Sequence, residues 1–255
     1  MPEKVNDTED QRPEEEEQDR SKRSLWLRLL ALVTVISFAA GALGIWPTLL
    51  RLPSLDFLTR AALLARNPLY QELRQAVVMV RTPQGQGTGF NLDSHGLIVT
   101  NFHVVKDAES INVLSSTGEE FVGKLTASQP ELDLALIRIR AENLPHVDLA
   151  DEPLAKDDQV VIIGNPLGFP QIIIKGRVLG ERGIMGRQQP VLLIEGPISP
   201  GNSGSPVFDR KGRVGAVIFG TLTSKVANKD SPIGLAIPVR YLKQIRWITC
   251  RDKKD

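Results

Sequence analysis

The chain has 255 residues, 42% of them hydrophobic and 24% charged, with a net charge of +1. That supplies one two-lobed domain with a real core plus an additional segment, and it excludes a chain that is disordered throughout. The balanced charge gives no global field for nucleic acid, and no Lys/Arg run interleaved with aromatics marks a groove for it, so nucleic acid is not an expected partner. Cys250 is the single cysteine, which excludes an intrachain disulfide. With no Cys/His cluster and no His-Glu-x-x-His, neither a zinc site nor any other cofactor is expected.

Residues 1–23 are polar and acid-rich, with Glu14 to Glu17 in a run, and read as a disordered tail. From residue 24 the character changes, and Leu29 to Leu50 carry no charge. That length spans a bilayer as a helix, with Trp26 and Trp46 near its ends as interfacial aromatics. A transmembrane signal anchor over 24–50 is therefore expected. The rival reading is a cleaved signal peptide, for which Ala40-Gly41-Ala42 offers a small-residue site, but the long acidic tail and full-length apolar run favour the anchor. Arg20, Lys22, Arg23 and Arg28 before the run, against Arg51, Arg60 and Arg66 after it, lean toward a cytoplasmic N-terminus and an extracytoplasmic remainder. Residues 51–68 read as a juxtamembrane helix and linker, with Ser54 as cap and Asn67-Pro68 as stop.

Residues 69–249 then alternate short apolar strands with turns. Ala76 to Arg81, Gly89 to Leu92, Gly96 to Thr100, Ser110 to Leu114, Phe121 to Leu125 and Leu132 to Arg140 form a first lobe over about 69–145. Gln159 to Gly164, Gln171 to Leu179, Val191 to Glu195, Ser205 to Phe208, Val214 to Phe219 and Gly234 to Pro238 form a second over about 150–240. Without interleaved helices, this pattern predicts an all-β fold of two closed antiparallel barrels. Val239 to Thr249 reads as a closing helix and 250–255 as a tail.

The chemistry concentrates in Ser199-Pro200-Gly201-Asn202-Ser203-Gly204-Ser205-Pro206, where a serine stands between glycines on a tight loop. Such a loop can aim the amides of Gly201 and Ser203 at one point, where the oxyanion of an attacked carbonyl would sit. A base and an acid must come from elsewhere. His95 and His146 fall in turns, whereas His103 follows the apolar strand Leu97 to Thr100 and can face a cleft. Asp133 heads one of the most apolar strands, where an ionised carboxylate needs partners. Histidine, aspartate, then serine is one of the known chain orders of the hydrolytic triad.

Gly87-Thr88-Gly89-Phe90, Gly96 to Val105, Asp133-Leu134-Ala135-Leu136, Gly164-Asn165-Pro166-Leu167-Gly168 and Pro200 to Gly204 together resemble the HtrA/Deg family of trypsin-like serine proteases. The resemblance implies a trypsin-like double six-stranded β-barrel with its site between the lobes. It also implies Ser203 as nucleophile, His103 as general base and acid, Asp133 as the group that holds the imidazole, and an oxyanion hole from Gly201 and Ser203. Ile198, Ile218 and Phe219 would shape an uncharged substrate pocket, with Lys225 and Asp230 in a nearby loop. Ser205 stands where the family commonly has glycine, and Glu195-Gly196 replaces a more usual aspartate-alanine pair. No PDZ-length segment follows, so delivery of substrate by such a module is not expected. Family members often form trimers, which the segment from Ser54 to Arg66 could support. The resulting expectation is a membrane-anchored serine endopeptidase acting on unfolded or exposed protein segments. The alternatives are a non-catalytic peptide-binding chaperone on the same fold, or a membrane-tethered scaffold.

Overall fold

A computed structural model of the chain describes residues 26–39, 61–226 and 229–245. The acidic tail, residues 40–60 and the stretch beyond 245 lie outside the described residues, as do the expectations that fall on them. The chain divides into two units, Met1–Ser54 and Leu55–Asp255. In the first, residues 26–39 form helix α1, whose side chains are exposed all round, Trp26 at 73% and Phe38 at 81%. Among the described residues no helix is long and apolar enough to cross a membrane.

In the second unit, Asn67-Pro68 starts a helix as well as stopping one. Helix α2, Pro68–Gln75, has Pro in its first turn and the Asn67 side chain accepting the Leu69 amide at 3.0 Å. The twelve strands follow as β1 (Val77–Thr82), β2 (Gly85–Asn91), β3 (Leu97–Thr100), β4 (Ile111–Leu114), β5 (Glu120–Gln129), β6 (Leu134–Arg138), β7 (Gln159–Gly164), β8 (Ile172–Arg182), β9 (Val191–Glu195), β10 (Pro206–Phe208), β11 (Val214–Val226) and β12 (Lys229–Pro238). They close into two barrels, of order β1-β2-β3-β6-β5-β4 and β10-β11-β12-β9-β8-β7, every pairing within them antiparallel. The double six-stranded barrel expected from the sequence is the fold.

The central strands read as unbroken apolar runs because both of their faces are buried. In β6, Leu134 and Leu136 enter a core cluster shared by the two lobes, while Ala135 and Ile137 enter one confined to the first. In β7 the same period-2 alternation sends Val161 and Ile163 to the shared cluster and Val160 and Ile162 to that of the second lobe. Helix α2, through Leu73, and the closing helix, Val239–Lys243, through Tyr241 and Leu242, seal the shared cluster. One continuous apolar seam therefore fixes the lobes against each other.

Two expectations change here. Lys225 and Asp230 are register partners in the β11–β12 ribbon rather than loop residues, since ten pairs run from Ala216↔Pro238 to Val226↔Lys229. Asp133 is not in a strand. It caps the 3₁₀ turn Pro130–Leu132 in the left-handed region, at φ 58°, and β6 starts one residue later. Aspartate tolerates that conformation better than a branched side chain would.

Candidate active site

The left-handed turn at Asp133 presents both its carbonyl and its carboxylate to one short segment. Asp133 O accepts the Asn101 side-chain amide at 2.9 Å and the Phe102 amide at 3.2 Å. Its carboxylate accepts the His103 amide on Oδ1 at 2.9 Å and meets His103 Nδ1 on Oδ2 at 2.8 Å. His103 lies in helix α3, Phe102–Val105, a single turn between β3 and β4. An ionised carboxylate can only accept, so Nδ1 carries the proton and the Nε2 lone pair is left for another partner. The imidazole is 47% exposed and the carboxylate 15%, which puts the acid behind the base and the base at the surface.

The serine loop comes from the second lobe, between β9 and β10, and docks on β2 of the first. The Thr88 amide donates to Ser203 O at 2.8 Å, the Thr88 hydroxyl donates to Gly201 O at 2.8 Å, and the Gly204 amide donates to Ile218 O at 2.8 Å. Gly204 has φ +87°, and a Cβ there would overlap Thr88 O, so both conformation and space demand glycine. A Cβ on Gly87 would lie 2.8 Å from Val104 Cγ2 and 3.1 Å from Ser203 O. Gly87 is thus the point at which the His103 helix and the serine loop meet. The structure joins His103 to Asp133 directly and brings the serine loop alongside. Among the described residues, no hydrogen bond links Ser203 Oγ to the imidazole, and none engages the amides of Gly201 and Ser203.

Other predicted residues fall as follows. Ile198 and Ile218 are buried in the second lobe's own cluster, and Phe219 packs half-buried against the shared one. Ser205 is buried, with its hydroxyl 3.5 Å from Asn202 Oδ1. A Cβ on Gly164 would overlap that hydroxyl, so the glycine of the Gly-Asn-Pro block makes room for the unusual serine. His95 is exposed in a turn beside Ser94 Oγ, and His146 is exposed in an irregular loop beside Leu144 O.

Arg187 is a residue that no sequence signal singled out. From the β8–β9 connection its guanidinium donates to Leu132 O at 2.7 Å and lies 4.4 Å above the Phe219 ring. It bridges the turn that carries Asp133 to the strand behind the serine loop. Burial holds its pKa below the ordinary value, while attraction to the Asp133 carboxylate acts in the opposite direction. Only the fold brings its three neighbours together, so no spacing rule could have found it.

The trypsin-like peptidase domain family matches residues 87–217, a little over half of the 255 residues. A DegP-like periplasmic serine endoprotease of Pseudomonas putida strain GB-1 is 39% identical over 137 residues, 52% of this chain and 29% of that protein. The serine protease HhoB of Synechocystis is 32% identical over 169 residues, 64% of this chain and 39% of that protein. The chain thus spans well under half the length of these curated relatives. Among solved structures, the serine endoprotease from Yersinia pestis is 28% identical with a TM-score of 0.60, covering 72% of this chain and 67% of that one. The active form of the Rv3671c protease from M. tuberculosis, at 24% identity and a TM-score of 0.60 over 71% of this chain and 84% of that one, shares the fold. The chain belongs to the trypsin-like peptidase family and is similar to its HtrA/Deg members.

Proposed function

We propose that this chain is a serine endopeptidase working through Ser203, His103 and Asp133. One observation carries the reading: a histidine whose Nδ1 is held by Asp133 at 2.8 Å sits on a short helix that meets, at Gly87, the loop of a glycine-bracketed serine with two unengaged amides. Ser203 Oγ attacks a peptide carbonyl while His103 Nε2 takes its proton, and the tetrahedral oxyanion lies toward the Gly201 and Ser203 amides. As the C–N bond breaks, the imidazolium returns the proton to the departing amine. Water, deprotonated by His103, then releases the acyl group and restores the serine. Asp133 keeps the imidazole in the tautomer with Nε2 free and offsets its charge once protonated. The pocket wall is assigned to Phe219, backed by Ile198 and Ile218, and suits small or medium apolar side chains.

The proposed substrates are unfolded or exposed protein segments on the extracytoplasmic side. The periplasmic naming of the Pseudomonas relative supports that location. Anchoring through residues 25–50 is part of the same proposal, supported by a helix α1 that exposes apolar side chains on every face, as helices bathed in lipid do. Extraction of membranes with alkaline carbonate tests the anchor: release of the full-length chain into the supernatant rejects it. For the activity, full-length Ser203→Ala is expected to lose cleavage of unfolded casein and labelling by a fluorophosphonate while keeping its fold by circular dichroism. Labelling that survives this change would remove Ser203 from its role.

A further inference from the structure

An oxyanion hole is only as good as the direction of its amides. In a trans peptide the carbonyl and the N–H point opposite ways, so whatever holds a carbonyl aims the amide on the same plane. The Gly201 amide shares its plane with Pro200 O, which accepts from Leu167 N at 2.9 Å. The Ser203 amide shares its plane with Asn202 O, which accepts from Ser205 N at 2.9 Å. The two planes that alternate with these carry Gly201 O and Ser203 O, and both of those oxygens are held by Thr88, through its hydroxyl and its amide.

Thr88 belongs to the other lobe and is fully buried. Its hydroxyl also accepts the Asn165 amide at 2.9 Å and the Asn165 side-chain amide at 3.1 Å, and its carbonyl accepts the Thr100 hydroxyl at 2.7 Å. Asn165 opens the turn Pro166–Gly168, in which Leu167 takes a left-handed φ of 52° and presents its amide to Pro200 O. A non-glycine residue in that region is held there by its surroundings. One hydroxyl therefore touches both the serine loop itself and the turn that sets the Gly201 amide. The β-branch restricts its torsion, so the donor direction is pre-set.

We infer that Thr88 is the positioning residue of the oxyanion hole: its hydroxyl, donor to Gly201 O and acceptor from Asn165, registers the first lobe against both segments that aim the Gly201 amide. The inference rests on the reading of Ser203 as nucleophile. Without the hydroxyl, the part-buried Gly201 O and the buried Asn165 amide lose their partner, and rotation of their planes is the nearest relief. The loss then falls on the transition state, where charge develops on the oxygen, and not on ground-state binding.

The test compares full-length wild type, Thr88→Val and Thr88→Ser, with Thr88→Ala as a second hydroxyl-free variant should valine prevent folding. Hydrolysis of a peptide amide, affinity for a peptide boronate that places an oxygen in the hole, and affinity of the cleaved acyl product are measured on each. Loss of the hydroxyl is expected to lower kcat and boronate affinity together by about 10–100-fold, with KM and product affinity within about twofold and with Thr88→Ser restoring most of both. Unchanged kcat and boronate affinity in the hydroxyl-free variants would overturn the inference. A parallel loss of product affinity that serine does not restore would also overturn it, by assigning Thr88 a packing role only. A wild-type protein that neither labels with fluorophosphonate nor cleaves any peptide overturns the underlying reading, which is a separate and recognisable outcome.

Discussion

The two barrels are copies in topology and opposites in use. Read from their first strands, both run first, second, third, sixth, fifth, fourth. His103 lies in the connection between the third and fourth strands of the first barrel, and Ser203 in the equivalent connection of the second. The first barrel makes that connection a helical turn whose imidazole is almost half exposed. The second makes it a glycine loop whose successive peptide planes are each held by a named hydrogen bond. The contrast follows from the tasks proposed for the two connections. A proton carrier must present one side chain to the cleft, and a single backing carboxylate fixes it. A site that stabilises charge with backbone amides must hold the backbone itself, and that takes partners from both lobes.

Four perturbations sharpen this contrast. The largest effect is expected at the carrier's single support. Asp133→Asn keeps an acceptor for the His103 amide but offers a donor to Nδ1, forcing the proton onto Nε2, so kcat should fall by about 10⁴-fold with stability nearly unchanged. Stopped-flow or progress-curve kinetics on a peptide amide check this, and a loss under tenfold would show that the acid is dispensable. At the serine loop the expected damage is to the fold as well. Gly204→Ala places a Cβ into Thr88 O at φ +87°, and denaturant unfolding should show a cost of about 3–5 kcal/mol. An unchanged midpoint would mean that the loop is free to move and that its planes are not held as described.

Arg187→Ala should act more weakly than either, since it removes a charged donor from Leu132 O and the cation over Phe219. We expect about a tenfold loss in kcat/KM. Full activity would leave Arg187 as packing alone. The smallest effect lies outside the site, at the bidentate pair of Glu181 and Arg240, both contacts 2.6 Å. Hydrogen bonding to Arg240 lowers the Glu181 pKa from 4.5 despite the opposing effect of burial. A lowered folded pKa adds stability above the unfolded value and loses it as pH falls through the folded one. Glu181→Gln should therefore cost about 0.5 kcal/mol at neutral pH, a difference that shrinks below the ordinary carboxylate pKa of 4.5. Thermal melts across that range check the sign, and a gap that widened in acid would contradict it.

The candidate site was proposed without coordinates because the chemistry assigned to it depends on residue type and chain order. Ser203 between glycines, His103 after an apolar strand and Asp133 set in an apolar run are local patterns, and five blocks in sequence carried the family resemblance. The barrels were readable because their strands alternate with turns and lack helices between them. The β11–β12 ribbon was not, since extension to Val226 depends on cross-strand pairing that turn-like Asn228 and Lys229 obscure. Nor was the left-handed turn at Asp133, which read as part of the strand Leu132 to Arg140.

The residues by themselves thus determined the class of fold and put forward three candidate side chains for the chemistry, because each depends on local pattern or on the identity of a functional group. Only the tertiary structure decided that Thr88 holds the serine loop, that Arg187 spans the two lobes and that Asp133 meets the His103 segment through four bonds. Those contacts join positions that are far apart in the chain, and nothing in local spacing encodes which distant donor reaches which acceptor once the shared apolar seam has closed.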